Sequence, residues 1–544
     1  MNPGIGSSSK LAMWVGVLVI VLLLLSAGNL TVTDKEPAIF SASVSYDGWV
    51  NRIVAGPHGV LNQEVIRRAW EPNNSVAPLD QAWGGFVWSI AHYLLDDIFA
   101  HRLGNIILAG VLAALLFRIM SVEAGFWSGL AAVLALFLMP RFFTHAQLAT
   151  TDVPAATTLV AVTYIFWRNK ESARIRYAIL MGLVLGIALA VDFRTIYILP
   201  TLLLWVILFR RKVYLFIRLI LAGAIAAGVF FLCWPWLYYD TIARWTTFLQ
   251  SQFSAHGSSP QWFLGNIPTV MPWYFPFLIV WAVVPLGTTI LYIVGCLRAI
   301  PSRRTRPFGA LLFLLAVVPL TILASGRLAV DGFDQTITPV FPFLAALAGL
   351  GFAWLVQGLH FLFRKLHRPA VTSMASLILI ILLFAYPVYQ YINLYPHLLA
   401  YYSEQVGGLQ GARTMGLETT YWCTGCKEAV TYLNQNAKAG DTVWVDFPTR
   451  GVLDYYQAHG ILREEFVMTG PAREEADGNP VVEQKDAQIR YTDSRFVILP
   501  YQRMVLFDAA GMPSELSQWA SGQQSVFRLE KQGVPLLDIF NASP

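Results

Sequence analysis

The sequence predicts a polytopic α-helical membrane protein with a small soluble α/β domain at its C-terminal end. Three observations lead there. Of 544 residues, 56% are hydrophobic and only 13% charged, where ordinary soluble domains carry roughly 25% charge. Long apolar runs recur from Leu11 almost to Leu394. Beyond Leu394 the apolar runs shorten and alternate with polar turns. These features exclude a soluble globular enzyme, a disordered chain and a coiled coil. An aromatic content of 14%, with 18 Trp, suits long membrane interfaces.

The apolar runs are Leu11–Leu30, Leu103–Met120, Phe126–Met139, Val153–Trp167, Tyr177–Val191, Ile196–Phe209, Val213–Leu237, Trp273–Leu297, Phe308–Ala324, Ile337–Val356 and Thr372–Leu394. They make about eleven transmembrane helices, several shorter than the ~20 residues a span needs. The short ones borrow flanking polar residues or sit inside the bundle. The first run follows a single Lys10, like a signal peptide, but its length and the lack of a small-x-small cleavage site favour a retained helix. Alternate loops collect Arg168, Lys170, Arg174 and Arg176, then Arg210, Arg211 and Lys212, then Arg298, Arg303, Arg304 and Arg306, then Arg364, Lys365 and Arg368. By the positive-inside rule the N-terminus is cytoplasmic and the C-terminal domain extracytoplasmic. The net charge of +5 is thus a topology signal; no basic stripe for nucleic acid exists.

The membrane domain is expected over residues 1–394, with large outer loops at 31–102 and 238–272. The first loop carries amphipathic stretches near Val60–Trp70 and Trp83–Leu95 that suit interfacial helices. Residues 395–544 form the outer domain, with a helix over Gly425–Asn436 and strands in DTVWVDF and SRFVILPY. Cys423 and Cys426 form a CxxC suited to a structural disulfide in an oxidising compartment, although free thiols would fit the same spacing.

Ionisable groups at membrane depth are costly and point to function. Here Arg141, His145, Asp152, Asp192 and Arg194 cluster at the outer ends of helices, and Asp47, Asp240, His256, Arg327 and Asp331 lie in outer loops. Such a cluster suits an anionic, lipid-linked substrate. Arg141 and Arg194 would hold phosphate oxygens, because guanidinium forks match them. A carboxylate would take a proton from an incoming hydroxyl. The competing structural reading of Asp192-Phe193-Arg194 is a turn with a local ion pair at a helix end. Trp262 and Phe263 are candidates for stacking a sugar. No pair of interrupted helices marks two matching halves, which argues against a transporter.

PRFFTHAQLATTDVP (140–154) resembles a segment of the bacterial protein O-mannosyltransferase-like glycosyltransferases of family 39, relatives of the aminoarabinose lipid A transferases. The resemblance continues in WPWLYYD (234–240), HGSSPQWFLG (256–265), PWYFP (272–276), TPVFPFLAALAG (338–349) and YPHLLAYYSEQVGGLQGARTMGLETTYW (395–422). It implies the GT-C fold, an inner-membrane location, and transfer of a sugar from a polyprenyl-phosphate carrier to a hydroxyl-bearing acceptor. By motif position Asp47 is implied as the catalytic base and Asp152 as the second acidic residue. Arg141, Arg194, His256 and Trp262 are the substrate-binding candidates. No cofactor is required by the residues present. His256 would be the residue to bind a divalent metal, but the resemblance weakens where a metal would be held. PNNSVAPLDQ (72–81) has Ser75 and Val76 where the family has Glu-His, and Gln81 where it has Lys. Gly48 follows Asp47 where the family shows Glu, and Gln335 stands where an Arg is frequent. Two readings stay open: an active transferase with altered donor recognition, or a catalytically degenerate homologue that serves as a structural or binding subunit of a membrane complex.

Overall fold

The structure, a computed structural model, describes residues 5–56, 58–71, 76–253, 262–268, 270–299, 305–326, 330, 332–365, 371–471, 473–474, 480–481, 490–507 and 512–542. The chain divides into two compact units. One comprises Met1–Gly28, Ile39–Ser259 and Val270–Gln390; the other comprises Asn29–Ala38, Pro260–Thr269 and Tyr391–Pro544.

The first unit is helical. Each of the eleven apolar runs coincides with a helix or a helix pair. Six helices among the described residues are long and apolar enough to cross a bilayer alone: Ser9–Ala27, Asp97–Ala124, Val213–Leu232, Arg306–Ala324, Thr338–Arg364 and Ser373–Leu394. The Trp273–Leu297 run, read as one span, is instead the pair Phe275–Val283 and Leu286–Ala299, bent by 120°. The cause is Pro285, which cannot donate to the helix ladder and pushes its predecessor out of the helical region. Val284 accordingly has φ −83° and ψ 125°. Helix Leu286–Ala299 packs tightly on Phe341–Lys365, because Gly295 and Gly351 leave room for the facing backbone. A Cβ on either would collide with a carbonyl, that of Leu347 or that of Leu291. Small residues at such crossings let transmembrane helices approach closely.

Two further helices occupy the first loop, both foreseen as amphipathic stretches: Gln63–Trp70 and Leu79–Ala91. A third, Glu36–Ala55, lies where the sequence reads only as loop. Glu36 at its first turn accepts from the backbone N–H of Thr33 at 2.9 Å. Helix Phe126–Phe137 has 12 residues, about 18 Å at 1.5 Å per residue, too short for a ~30 Å hydrocarbon core. A six-residue helix, Pro140–His145, and an irregular stretch then lead to Asp152–Asn169. Nearly every side chain from Met139 to Pro154 is buried. Irregular backbone between apolar helices is tolerated where protein encloses it, and this enclosed stretch carries the charged residues described next.

The second unit holds a five-stranded sheet in the spatial order Val467–Thr469, Thr442–Trp444, Phe496–Pro500, Val534–Asn541, Ser525–Lys531. The first three strands run parallel and the last two antiparallel. Phe496–Pro500 is buried along its whole length, as expected of a central strand covered on both faces. Helix Cys426–Asn436 buries Cys426, Ala429, Val430 and Leu433 on one face. Cys423 and Cys426 are joined by a disulfide.

Candidate active site

Arg141 and His145 are four residues apart on the short helix Pro140–His145, so both side chains leave it on one face. Asp152 opens the next helix. Asp334 precedes the 3-10 turn Thr338–Val340 and is held there by its own carbonyl, which accepts from Thr338 N–H at 2.9 Å and Thr338 Oγ1 at 3.0 Å. Tertiary packing brings these four into a chain. Arg141 Nη1 lies 3.5 Å from Asp334 Oδ2. His145 Nε2 lies 3.4 Å from Asp334 Oδ1, and His145 Nδ1 lies 2.8 Å from Asp152 Oδ2. Thr150 Oγ1 donates to the same Asp152 oxygen at 3.0 Å. The Arg141 guanidinium sits 5.4 Å from the centre of the Phe333 ring. All four charged side chains are at most 1% exposed.

Burial works against a charge on His145, but Asp334 and Asp152 on either side outweigh it and raise the imidazole to about 9. The two acids thus favour the protonated imidazole. Asp152 Oδ1 is buried with no hydrogen-bond partner among the described residues. This oxygen is the open end of the chain.

Asp192 and Arg194 form the local pair that the structural reading allowed. Asp192 accepts from the Arg194 backbone N–H at 2.8 Å and from its Nε at 3.0 Å, and Arg194 Nη2 reaches Asp192 Oδ2 at 2.8 Å. The guanidinium also donates from Nη1 to Thr336 Oγ1 at 3.1 Å. Residues 334–336 thus receive both arginines.

Asp80 borders this set, and Asp47 lies on a helix that adjoins the one bearing Asp80. Asp80, in the first turn of Leu79–Ala91, is 6% exposed. Burial first, then the nearby Asp192 and Asp152, push its carboxyl well above the ordinary range. Its Oδ1 lacks a partner among the described residues. Asp80 in turn acts on the Tyr46 phenol, raised by burial and by that carboxyl. Tyr46 stacks on Trp70 at 4.4 Å. Beside it, Asp47 is 8% exposed and accepts from Asn51 Nδ2 at 2.7 Å. The helices bearing Asp47 and Asp80 meet where Gly85 lies against the Ser43 carbonyl and the Asp47 Cβ.

Of the residues singled out from sequence, Arg141, His145 and Asp152 are therefore brought together, and Asp192 and Arg194 pair beside them. Trp262 belongs to the second unit, where it is buried and stacked on Phe507 at 4.8 Å. His256, Arg327 and Asp331 lie outside the described residues. Sequence reasoning missed Asp334 and Asp80. Each directly precedes a glutamine that marks a departure from the family pattern, Gln81 or Gln335, and an Asp-Gln pair after an apolar residue is the available signal.

Residues 83–239 match the family model of dolichyl-phosphate-mannose-protein mannosyltransferases. In fold the chain is similar to ArnT from Cupriavidus metallidurans. Against its undecaprenyl-phosphate-bound crystal structure the TM-score is 0.53 at 13% identity, covering 96% of this chain and 97% of that one. Against the apo structure the TM-score is 0.55 at 15% identity, covering 98% of both. No curated protein matches the chain in sequence. The chain is a multi-pass membrane protein of the GT-C fold, similar to glycosyltransferase family 39.

Proposed function

We propose that this protein transfers a sugar from a polyprenyl-phosphate carrier to a hydroxyl-bearing acceptor at the outer face of the inner membrane. The observation that carries the reading is the buried chain Arg141–Asp334–His145–Asp152, which lies largely within the matched segment and ends in an unpartnered carboxylate oxygen. Buried charges of this kind are expensive and default to function in membrane proteins. Asp47 takes the acceptor O–H proton as its oxygen attacks the anomeric carbon. The bond from that carbon to the carrier phosphate breaks with inversion, and its electron pair leaves on the phosphate. Asp152, fixed by His145, orients the acceptor or Asp47. Arg141, and Arg194 beside it, stabilise the departing phosphate. The loop cationic clusters support a cytoplasmic N-terminus and an extracytoplasmic C-terminal domain.

The test uses purified protein in proteoliposomes with labelled polyprenyl-phosphate sugars. Asp47→Asn and Asp152→Asn are each expected to lower transfer by at least about 10²-fold, the typical worth of a positioned acid or base, while remaining monodisperse in detergent. Full transfer by both variants would remove the mechanism. One observation favours the degenerate-homologue reading: both candidate phosphate ligands, Arg141 and Arg194, already face a carboxylate. Under that reading, native membranes yield the protein with a stoichiometric partner and no variant changes sugar transfer.

A further inference from the structure

A second collection of arginines, within the C-terminal unit, is arranged in the opposite way. Arg413, Arg503 and Arg528 line a pocket of about 340 Å³, within the ~300–1,000 Å³ of small-molecule sites. Arg528 is committed. It grips the fully buried Asp538 through Nε at 2.9 Å and Nη2 at 2.7 Å, and Tyr501 OH donates to the same carboxylate at 2.8 Å. That carboxylate is fully answered. Arg413 and Arg503 are not. Neither guanidinium has an ion pair or hydrogen bond among the described residues. Burial and the neighbouring Arg413 hold Arg503 below its ordinary value, with Glu418 opposing them. Glu418 meets Arg503 through the backbone rather than the guanidinium. Its two oxygens accept the Arg503 backbone N–H at 3.0 Å, and burial pushes its carboxyl up to about 8.

The wall beside these arginines is aromatic. Phe507 faces the pocket half-buried, with the Arg503 guanidinium 5.5 Å from its ring centre, and Trp262 stacks behind it. Ser517 and Gln523 add neutral hydrogen-bonding groups to the lining. Two guanidinium forks that make no direct ion pair or hydrogen bond, a flat ring and neutral polar groups match an anion carried on a polar ring.

We propose that this pocket binds a phosphate- or carboxylate-bearing saccharide, the anion between Arg413 and Arg503 and the sugar ring against Phe507. The site does not depend on the transferase reading, since it shares no residue with it. Its ligand is either a free sugar anion or the headgroup of a lipid.

The test is calorimetric titration of the full chain in phosphatidylcholine nanodiscs with glucose 1-phosphate and, separately, inorganic phosphate. Saturable binding is expected, tighter for the sugar phosphate and weaker at high salt. Arg413→Gln and Arg503→Gln should each weaken it about tenfold or more, and Lys438→Gln, an exposed lysine away from the pocket, should not. Folding is not at stake at Arg413, which is exposed, nor at Arg503, whose contact with Glu418 is made by backbone. Repeating the titration with phosphatidylglycerol in the nanodisc separates the sources: competition identifies a lipid headgroup, and undiminished binding a free sugar anion. No saturable binding in phosphatidylcholine, or binding equal in wild type and both arginine variants, overturns the proposal.

Discussion

The two units treat buried or crowded cations in contrasting ways. In the membrane unit Arg141 and His145 share Asp334, His145 also meets Asp152, and Arg194 is held by Asp192. In the C-terminal unit Arg413 and Arg503 line one pocket, and neither guanidinium makes an ion pair among the described residues. Cost explains the difference. A charge enclosed in protein needs a partner, because desolvation is otherwise uncompensated. A guanidinium that lines a pocket and is only partly buried keeps part of its hydration and can take an anion. The first arrangement fixes side chains in place; the second leaves binding energy for a ligand.

The largest effect that can break this contrast is loss of the shared carboxylate. Asp334→Ala leaves Arg141 and His145 buried without their common partner, and unfolding in detergent should lose about 3–5 kcal/mol. Arg413→Gln should change stability by no more than about 0.5 kcal/mol. Equal stability of the two variants would erase the distinction.

A second test is an alkaline transition. His145 in the fold is raised to about 9 from an ordinary 6.5. Its stabilising contribution is complete below the unfolded value and is lost as pH rises through about 9. Melting followed against pH should show this loss, and His145→Gln, which cannot be protonated there, should flatten it. A wild-type curve that stays level from pH 7 to about 10 would show His145 uncharged in the fold.

A further pH effect concerns Glu418. Its carboxyl is raised from 4.5 to about 8 by burial, so the folded state keeps a proton that the unfolded chain releases. Stability then falls as pH rises between those two values. Glu418→Gln keeps an oxygen to accept the Arg503 N–H and should abolish the slope. An unchanged slope in that variant would assign the pH dependence to other groups.

Much of the fold was legible because hydropathy is a local property. The run Val153–Trp167 became helix Asp152–Asn169, and the helix expected over Gly425–Asn436 became Cys426–Asn436. The strand in SRFVILPY became Phe496–Pro500. Apolar continuity misled where backbone chemistry intervened. Val213–Leu237 is helical only to Leu232, because Pro235 opens a separate 3-10 turn. Helix Glu36–Ala55 was not foreseen, since polar residues such as Asp47 and Asn51 interrupt its apolar face. It carries the residue assigned here as the base.

The amino-acid sequence by itself determined that this chain crosses a membrane many times, and which short stretch concentrates its charges. Both follow from side-chain chemistry read over a few turns of chain. Which charges answer which was decided by tertiary structure alone. His145 and Asp334 are 189 residues apart, and only the packing of helix Asp152–Asn169 beside the turn before Phe341 makes them neighbours. The same holds for Arg413 and Arg503, whose shared pocket exists because a five-stranded sheet and its surrounding loops bring distant segments to one place.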